Sequence, residues 1–433
     1  MNAAGAGKRI LFVDEDAGRS GSTVSLEYLL RGFRVGGYEV FVLTLKKNRV
    51  FLGRLAENAV VIEVRNWKMS SMGLNLYFNN TLSVFTVRGL VVTVKEIVKS
   101  IIVFRIVLKA IRETRADLVY VNEYVLVPAY VAAFLLRIPA VVHIRSQFLK
   151  GTCGVRRALL SRLVPACCRA VIAITRIEAG QLHPRRKDAA RIHVIGEFVS
   201  GGGSVGSSAA GSGGRDGLDL PAGHKVVTML GGILSIKGSI DFLRAAVRVS
   251  RKRRGVVFVI AGRVFRDESA ETRSYYNACM KPSEELQSMG CLRITGEITD
   301  TAGLVAASDI LVSPSPETHF SRPVIEAWAL SKPVVVARTA HMSDLVGDGV
   351  DGFLVDPGDD GALAERLLRL LDDSELCGRM GREGKKKAEA LFDADRNLGK
   401  IVGICDRLAL ASPGDAAVSL RELKWDSRKY ESR

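Results

Sequence analysis

At 433 residues the chain is long enough for two or three domains of roughly 150 residues, each with its own hydrophobic core. Its 47% hydrophobic and 25% charged residues are ordinary for a globular protein, whereas a formal net charge of +16 implies an acidic partner such as a phosphorylated substrate or anionic lipid. Aromatic residues are only 6% and form no basic stacking surface, which argues against nucleic acid; seven cysteines without a Cys-x-x-Cys pair argue against a disulfide framework or a structural zinc site and fit a reducing compartment.

The first predicted element is a strand over Arg9 to Val13. It follows the N-terminal Met-Asn-Ala-Ala-Gly-Ala-Gly-Lys at once, with no signal-peptide core between, so a cytoplasmic location is expected. A loop with Gly18 and Gly21 comes next, then a helix from about Ser22 to Arg34 and a strand from Glu39 to Leu45. This is a βαβ unit whose loop is not Gly-x-Gly-x-x-Gly, so it carries no dinucleotide fingerprint. Asp14-Glu15-Asp16 has the Asp-x-Asp form that can hold a metal diphosphate, but it sits in the first loop and reads as a polar loop. Residues Trp67 to Phe78 crowd large apolar side chains. Beyond them, residues 88–112 predict an amphipathic helix whose basic residues Lys95, Lys99, Arg105 and Lys109 form one face. Such a helix can lie on an anionic membrane surface, which gives an expectation of peripheral attachment to the inner face of the membrane; packing into a core is the alternative. No run of about 18 apolar residues predicts a spanning helix.

Strands at Asp117 to Val121, Ala140 to Ile144, Val171 to Ile174 and Ile192 to Ile195 complete a first domain, residues 1–199. His143 sits at the carboxyl end of its strand beside Arg145, a place suited to a site, although a single histidine is more often structural. Residues 200–224 read as a Gly/Ser-rich linker. A second domain, residues 225–411, has strands at Lys225 to Leu230, Val256 to Ile260, Leu292 to Thr295, Asp309 to Ser313, Pro333 to Val336 and Gly352 to Val355, and a polar tail follows at 412–433. Strands alternating with helices predict an α/β protein of two doubly wound domains facing a cleft.

The stretch from Asp309 to Val336 predicts a strand, a polar turn, a helix and another strand. Ser321 suits the N-cap and Pro323 the first turn of a helix running from Arg322 to about Ser331. Glu317, His319, Arg322 and Glu326 gather beside that helix start, where unpaired N–H groups and the dipole favour an anion. A phosphorylated ligand is expected.

Three segments together resemble retaining glycosyltransferases of the family 4 type, the glycosyl transferases group 1, which have the GT-B fold of two Rossmann-like domains. They are Val226 to Ala246, with Gly231-Gly232 and Lys237-Gly238; Ile294 to Ser315, leading into Glu317 to Glu326; and Asp348 to Asp359. The resemblance covers nearly the whole chain and is strongest from Val226 to Gly358. It implies that Lys237, in the segment of Gly231 and Gly232, binds the donor diphosphate, that Glu326 holds the ribose hydroxyls, and that Glu317 lies beside the transferred sugar. It implies further that His143 contacts that sugar near the reacting carbon, that the backbone of Arg322, Pro323 and Val324 meets phosphate, and that Gly21, with Gly18, belongs to the first glycine loop.

The activity so implied is metal-independent transfer of a hexose, with retention, from a nucleotide-sugar co-substrate to a hydroxyl acceptor such as a cell-surface polysaccharide or a lipid-linked glycan precursor. A nucleotide-sugar epimerase on the same fold and a non-catalytic sugar-nucleotide-binding relative are the alternatives. Three positions depart from the family pattern. Gly232 stands in place of an arginine, Glu317 and Glu326 are one residue further apart than Glu-x7-Glu so that the strict position falls on Thr318, and Arg338 to Asp344 replaces a Gly-Gly-x-Pro-Glu segment.

Overall fold

The structure, a computed structural model, describes residues 7–15, 21–45, 49–64, 85–199, 220–266, 269–298 and 300–410. The loop glycine Gly18, the apolar crowd from Trp67 to Phe78, most of the expected linker and the expected tail lie outside the described residues. The chain divides into two units. One comprises the described residues up to Phe198 together with those from Asp395; the other runs from Val199 to Ala394.

The first unit contains β1 (Arg9–Asp14), α1 (Gly21–Val35), β2 (Glu39–Thr44), α2 (Arg49–Ala56), β3 (Val60–Glu63), α3 (Val87–Thr114), β4 (Leu118–Val121), α4 (Val127–Leu135), β5 (Ala140–Ile144), α5 (Val155–Cys167), β6 (Ala170–Ala173), α6 (Arg176–Gly180) and β7 (Ile192–Val194). Its seven strands are parallel in the order β3-β2-β1-β4-β5-β6-β7, with Ile10 in register with Val40 on one side and Leu118 on the other. Apolar runs such as Ile10 to Val13 and Leu118 to Val121 are buried along their whole length, as strands covered by helices on both faces must be.

Helix α3, at 28 residues, is about 42 Å long. Thr86 caps it by accepting from Gly89 N at 3.1 Å, and Arg115 ends it in the left-handed conformation at φ 48°. Only its second half reaches the core, through Val103, Val107, Ala110 and Ile111. The expected single basic face is corrected here: Lys99 is buried and paired with buried Glu96 at 2.8 Å, while Lys95, Arg105 and Lys109 are exposed.

The second unit contains β8 (Lys225–Leu230), α7 (Ser239–Lys252), β9 (Val256–Ala261), α8 (Ala270–Ser288), β10 (Leu292–Gly296), α9 (Thr301–Ala307), β11 (Ile310–Ser313), α10 (Arg322–Ala329), β12 (Val334–Ala337), α11 (Ala340–Leu345), β13 (Gly352–Val355), α12 (Asp360–Asp372) and α13 (Ser374–Phe392). Six parallel strands take the order β10-β9-β8-β11-β12-β13. Two contacts seat α10 against α13. Trp328, fully buried, donates from Nε1 to Asp351 O at 2.8 Å, and Gly384 leaves room for its ring, since a Cβ there would come within 2.1 Å of Trp328 Cδ1. At Gly381 a Cβ would come within 2.0 Å of Ser331 O, so the turn after α10 also rests directly on α13 backbone.

The last helix, α14 (Ala394–Leu410), departs from the sequence expectation, which assigned residues 225–411 to one domain. It belongs to the first unit. Leu398 fills the space beside Gly32 of α1, Tyr38 donates to Asp406, and Asn397 Nδ2 donates to Gly196 O at 3.2 Å.

Candidate functional site

In the second unit the expected site residues gather at the carboxyl edge of the sheet, where ligands of open α/β sheets bind. Strand β8 runs directly into Gly231 and Gly232, at φ +122° and +75°. Gly262, at φ +132°, follows β9, and a Cβ on it would lie 2.4 Å from Gly232 N. A Cβ on Gly232 would lie 1.9 Å from Arg263 O. These glycines let two strand ends meet backbone to backbone. A side chain at position 232, such as the arginine of the family pattern, would therefore clash with the Arg263 backbone in this chain.

The turn that follows places Lys237. Gly238, at φ +72°, packs against Pro314 O, and Ser315 Oγ donates to Ile236 O at 2.5 Å. Ser239 Oγ donates to Gly232 O at 2.9 Å and accepts from Leu234 N at 3.1 Å. Lys237 Nζ then lies 3.4 Å from His319 Nε2. An ammonium can only donate, so Nε2 accepts and the ring proton sits on Nδ1, which lies 3.1 Å from Glu317 O and donates to it.

Burial, and then the Lys237 charge, push His319 down to about 4, so it is a neutral partner at physiological pH. Burial lowers the pKa of Lys237, and the nearby Glu317 carboxylate opposes that shift. Among the described residues no carboxylate forms an ion pair with Lys237. A half-buried cation that no carboxylate contacts directly is poised for an anionic ligand.

Helix α10 begins at Arg322 with Pro323 in its first turn, as expected. Ser321 occupies the N-cap position, but its hydroxyl does not cap the helix; it pairs with Ser313 Oγ at 2.9 Å, which corrects the expected capping. Pro323 has no N–H, and that of Val324 is bonded to Ser321 O at 3.1 Å, which narrows what residues 322–324 offer a phosphate. Glu326 accepts from Arg322 Nε at 2.7 Å, one turn earlier, and keeps 27% of its side chain exposed. Glu317 is exposed in the turn, and Thr318 is half-buried beside it. Arg338, in the departing segment, pairs with Asp348 at 3.1 Å and Asp356 at 3.2 Å.

In the first unit a second cluster occupies the carboxyl ends of β1, β4 and β5. His143 is fully buried on β5. Its Nδ1 lies 2.8 Å from Tyr120 OH and 3.2 Å from Arg145 Nη2. Arg145 also donates from Nε to Asn122 Oδ1 at 3.1 Å and from Nη1 to Glu197, which accepts as well from Ser25 Oγ of α1. Asn122 Nδ2 donates to Asp14 Oδ1 at 2.8 Å. Burial, then the Arg145 charge, hold the imidazole well below its usual range, and burial holds the Tyr120 phenol well above its own.

Gly21 is the first residue of α1. No group of three or more His, Cys, Asp or Glu side chains able to hold a metal ion gathers among the described residues. No helix among them is long and apolar enough to cross a membrane. The sequence signalled Lys237 through the resemblance of its Lys-Gly segment to the family pattern and His143 through its strand end. It left out Tyr120, Asn122, Glu197 and Ser25, and it assigned no role to Arg145, His319 or Ser315. Only proximity to strand ends or to the Asp309–Val336 turn would have pointed to most of these, and Glu197 carries no local signal.

Residues 224–373 match the family described as glycosyl transferases group 1, and residues 20–196 match the glycosyl transferase 4-like domain. The capsular polysaccharide biosynthesis glycosyltransferase CapM of Staphylococcus aureus is 25% identical over 169 residues, which is 39% of this chain and 42% of CapM. The lipopolysaccharide core biosynthesis glycosyltransferase LpsE of Rhizobium meliloti is 27% identical over 178 residues, 41% of this chain and 48% of LpsE. The matched stretches thus span less than half the length of these relatives.

Among solved structures, Anabaena HepE in complex with UDP aligns with a TM-score of 0.70 at 19% identity, over 92% of this chain and 100% of that one. Sucrose-phosphate synthase from Thermosynechococcus elongatus gives 0.68 at 16% identity, over 94% and 100%. These two likenesses bear on the fold, which is that of the two parallel, helix-flanked sheets described above. The chain belongs to the group 1 glycosyltransferases of the family 4 type and has their two-domain α/β GT-B fold.

Proposed function

We propose that the chain is a retaining, metal-independent hexosyltransferase that moves a sugar from a nucleotide-sugar donor to a hydroxyl of a polysaccharide or lipid-linked glycan acceptor. The observation that carries this reading is Lys237: a cation with no carboxylate partner among the described residues, held beside a neutral histidine at the carboxyl edge of the sheet. Such a group stabilises the charge that builds on a diphosphate as it leaves. The donor class is further supported by the structural relative HepE, seen with UDP and with UDP-glucose. CapM and LpsE, which act in capsular polysaccharide and lipopolysaccharide core synthesis, support the acceptor class.

In the reaction the bond from the sugar's anomeric carbon to the diphosphate oxygen breaks, and one from that carbon to the acceptor oxygen forms on the same face. The acceptor proton passes to the departing phosphate, so no side chain need be a strong base. Glu326 accepts from the ribose hydroxyls with Arg322 orienting it, and His143 and Glu317 contact the transferred sugar. Lys237 supplies the positive charge at the diphosphate, so the reading requires no metal ion.

Peripheral attachment to the inner, anionic face of a membrane belongs to the same reading. Its support is an inverted amphipathic helix. The outward line of α3 carries Leu90, Val91, Val94, Ile97, Val98 and Ile101, each 47–56% exposed, and then turns basic at Arg105, Lys109 and Arg112, while the buried Glu96–Lys99 pair lies on the opposite side. An anionic bilayer fits both ends of that line, with acyl chains at the apolar half and phosphates at the basic half.

Incubating the full chain with a panel of nucleotide-sugars and glycan or lipid-linked acceptors, with products read by mass spectrometry, tests the activity. Lys237→Met and Glu326→Gln are each expected to lower turnover at least tenfold. Turnover that survives both substitutions refutes the assignment, and an epimerised donor formed without acceptor would replace it with the epimerase reading.

A further inference from the structure

We propose that Arg145 is a positioning residue that fixes His143 as a neutral imidazole with its proton on Nε2, and that Glu197 and Asn122 hold Arg145 for this task. Arg145 presents its guanidinium to the imidazole. It has five N–H donors and no lone pair, so its 3.2 Å contact with His143 Nδ1 is a hydrogen bond only if Nδ1 is unprotonated. Tyr120 OH, 2.8 Å from the same nitrogen, then also donates to it. The ring proton is left on Nε2. A second proton on the ring would set an imidazolium against the guanidinium and cost both hydrogen bonds.

Arg145 is not free to turn away. Its Nε donates to Asn122 Oδ1 at 3.1 Å and its Nη1 to Glu197, with both members of the ion pair about 95% buried at side-chain exposures of 5% and 6%. Asp14 accepts from Asn122 Nδ2 at 2.8 Å, which fixes the amide with its oxygen toward Arg145. Asn397 of α14 donates to Glu197 O at 3.3 Å and pins that residue's backbone. The orientation of one imidazole is thus set by side chains from β1, β4, α14 and the segment after β7.

The consequence lies on the far side of the ring. His143 Nε2 is buried and has no hydrogen-bond partner among the described residues. A buried N–H without an acceptor calls for one from a ligand, and the oxygen of a hydroxyl group supplies it. His143 therefore serves as a fixed hydrogen-bond donor and neither takes nor gives a proton. That the oxygen belongs to the transferred sugar rests on the proposed function; the tautomer does not.

The test uses the full chain labelled with ¹⁵N at histidine, of which there are six, with the His143 signals assigned by loss in His143→Gln. Imidazole ¹⁵N–¹H spectra at about pH 7 without any ligand are expected to show His143 neutral and protonated on Nε2. In Arg145→Met the proton is expected to appear on Nδ1 in a large fraction of molecules, because Tyr120 OH can accept as readily as it donates. Arg145→Lys restores a donor and is expected to recover the Nε2–H form. With a donor in hand, Arg145→Met should lower kcat tenfold or more, with a smaller change in KM, and Arg145→Lys should recover part of that loss. A wild-type His143 protonated on Nδ1, or one carrying both protons, overturns the proposal even if the variants fail to fold. An unchanged tautomer in folded Arg145→Met overturns it equally. Because the spectra need no substrate, a correct tautomer in a chain that turns over no donor would sink the transferase reading and leave this one standing.

Discussion

Replacing Gly232 by alanine is expected to destabilise the second unit by about 2–4 kcal/mol, and the structure supplies each part of that figure. At φ +75° a Cβ costs about 1 kcal/mol in backbone strain. The same Cβ would stand 1.9 Å from Arg263 O, where ordinary contact begins at 3.4 Å, so one strand end must retreat by more than an ångström. Arg263 O also accepts from Ile233 N at 3.2 Å, and weakening that bond while forcing a close-packed contact adds roughly 2–3 kcal/mol. A reduced unfolded-state entropy returns about 0.5 kcal/mol.

Gly255→Ala is the matched control. Its φ of +74° is nearly the same, but nothing lies within 4 Å of a Cβ there, so only the strain remains. Urea unfolding of the second unit, followed through the fluorescence of buried Trp328, compares the two. Equal midpoints for Gly232→Ala and Gly255→Ala would refute the steric account of position 232. If the account holds, Gly232→Arg will not recover the family's diphosphate contact, because the larger side chain meets the same carbonyl.

Other outcomes follow from the buried histidines and from α3. His143 is held well below the ordinary imidazole range, and burial, assisted by Arg407 and by Lys237, brings His193 and His319 respectively down to about 4. Above about pH 6.5 these groups are neutral in both states. Below it the unfolded chain takes up protons that the folded one does not, so stability should fall by up to about 1.4 kcal/mol per pH unit for each histidine. Urea midpoints that stay level between about pH 6.5 and pH 5 would contradict this, and the first unit, with two such histidines, should show the steeper loss. Full-length chain should co-sediment with phosphatidylglycerol-containing vesicles, more weakly with pure phosphatidylcholine, and hardly at all as Val94→Asp/Val98→Asp. Binding unaffected by that double substitution refutes the membrane role of α3, and a lipid-free dimer that the substitution dissociates would identify a second copy as the occupant of the stripe.

Much of the fold was legible because it depends on local pattern. Strands β8 and β13 occupy the expected residues, since short apolar runs bounded by polar turns have few other uses, and Pro323 marked the start of α10. Glu326 could be picked out because a helix start marks a strand end where an α/β sheet binds ligands, whereas Lys237 was indicated by the resemblance of its segment to the family pattern. Strand β3, Val60–Glu63, escaped notice although Val60 to Ile62 is an apolar run, because it is a four-residue, half-exposed edge strand, and α2 before it is only eight residues long.

Contacts between residues distant in sequence were settled by the fold alone. Arg145 and Glu197 are 52 residues apart, and nothing local tells either that it will be buried against the other. The pattern of α3 predicted a helix with charges on it, but which side of that helix is inward depends on the sheet beneath, and this put Lys99 inside and a valine-rich stripe outside. Gly232 looked like a missing arginine until the neighbouring strand end was seen to fill the space. Helical and strand periods are properties of a few consecutive residues, whereas burial, steric exclusion and the tautomer of a histidine depend on atoms brought together by the fold.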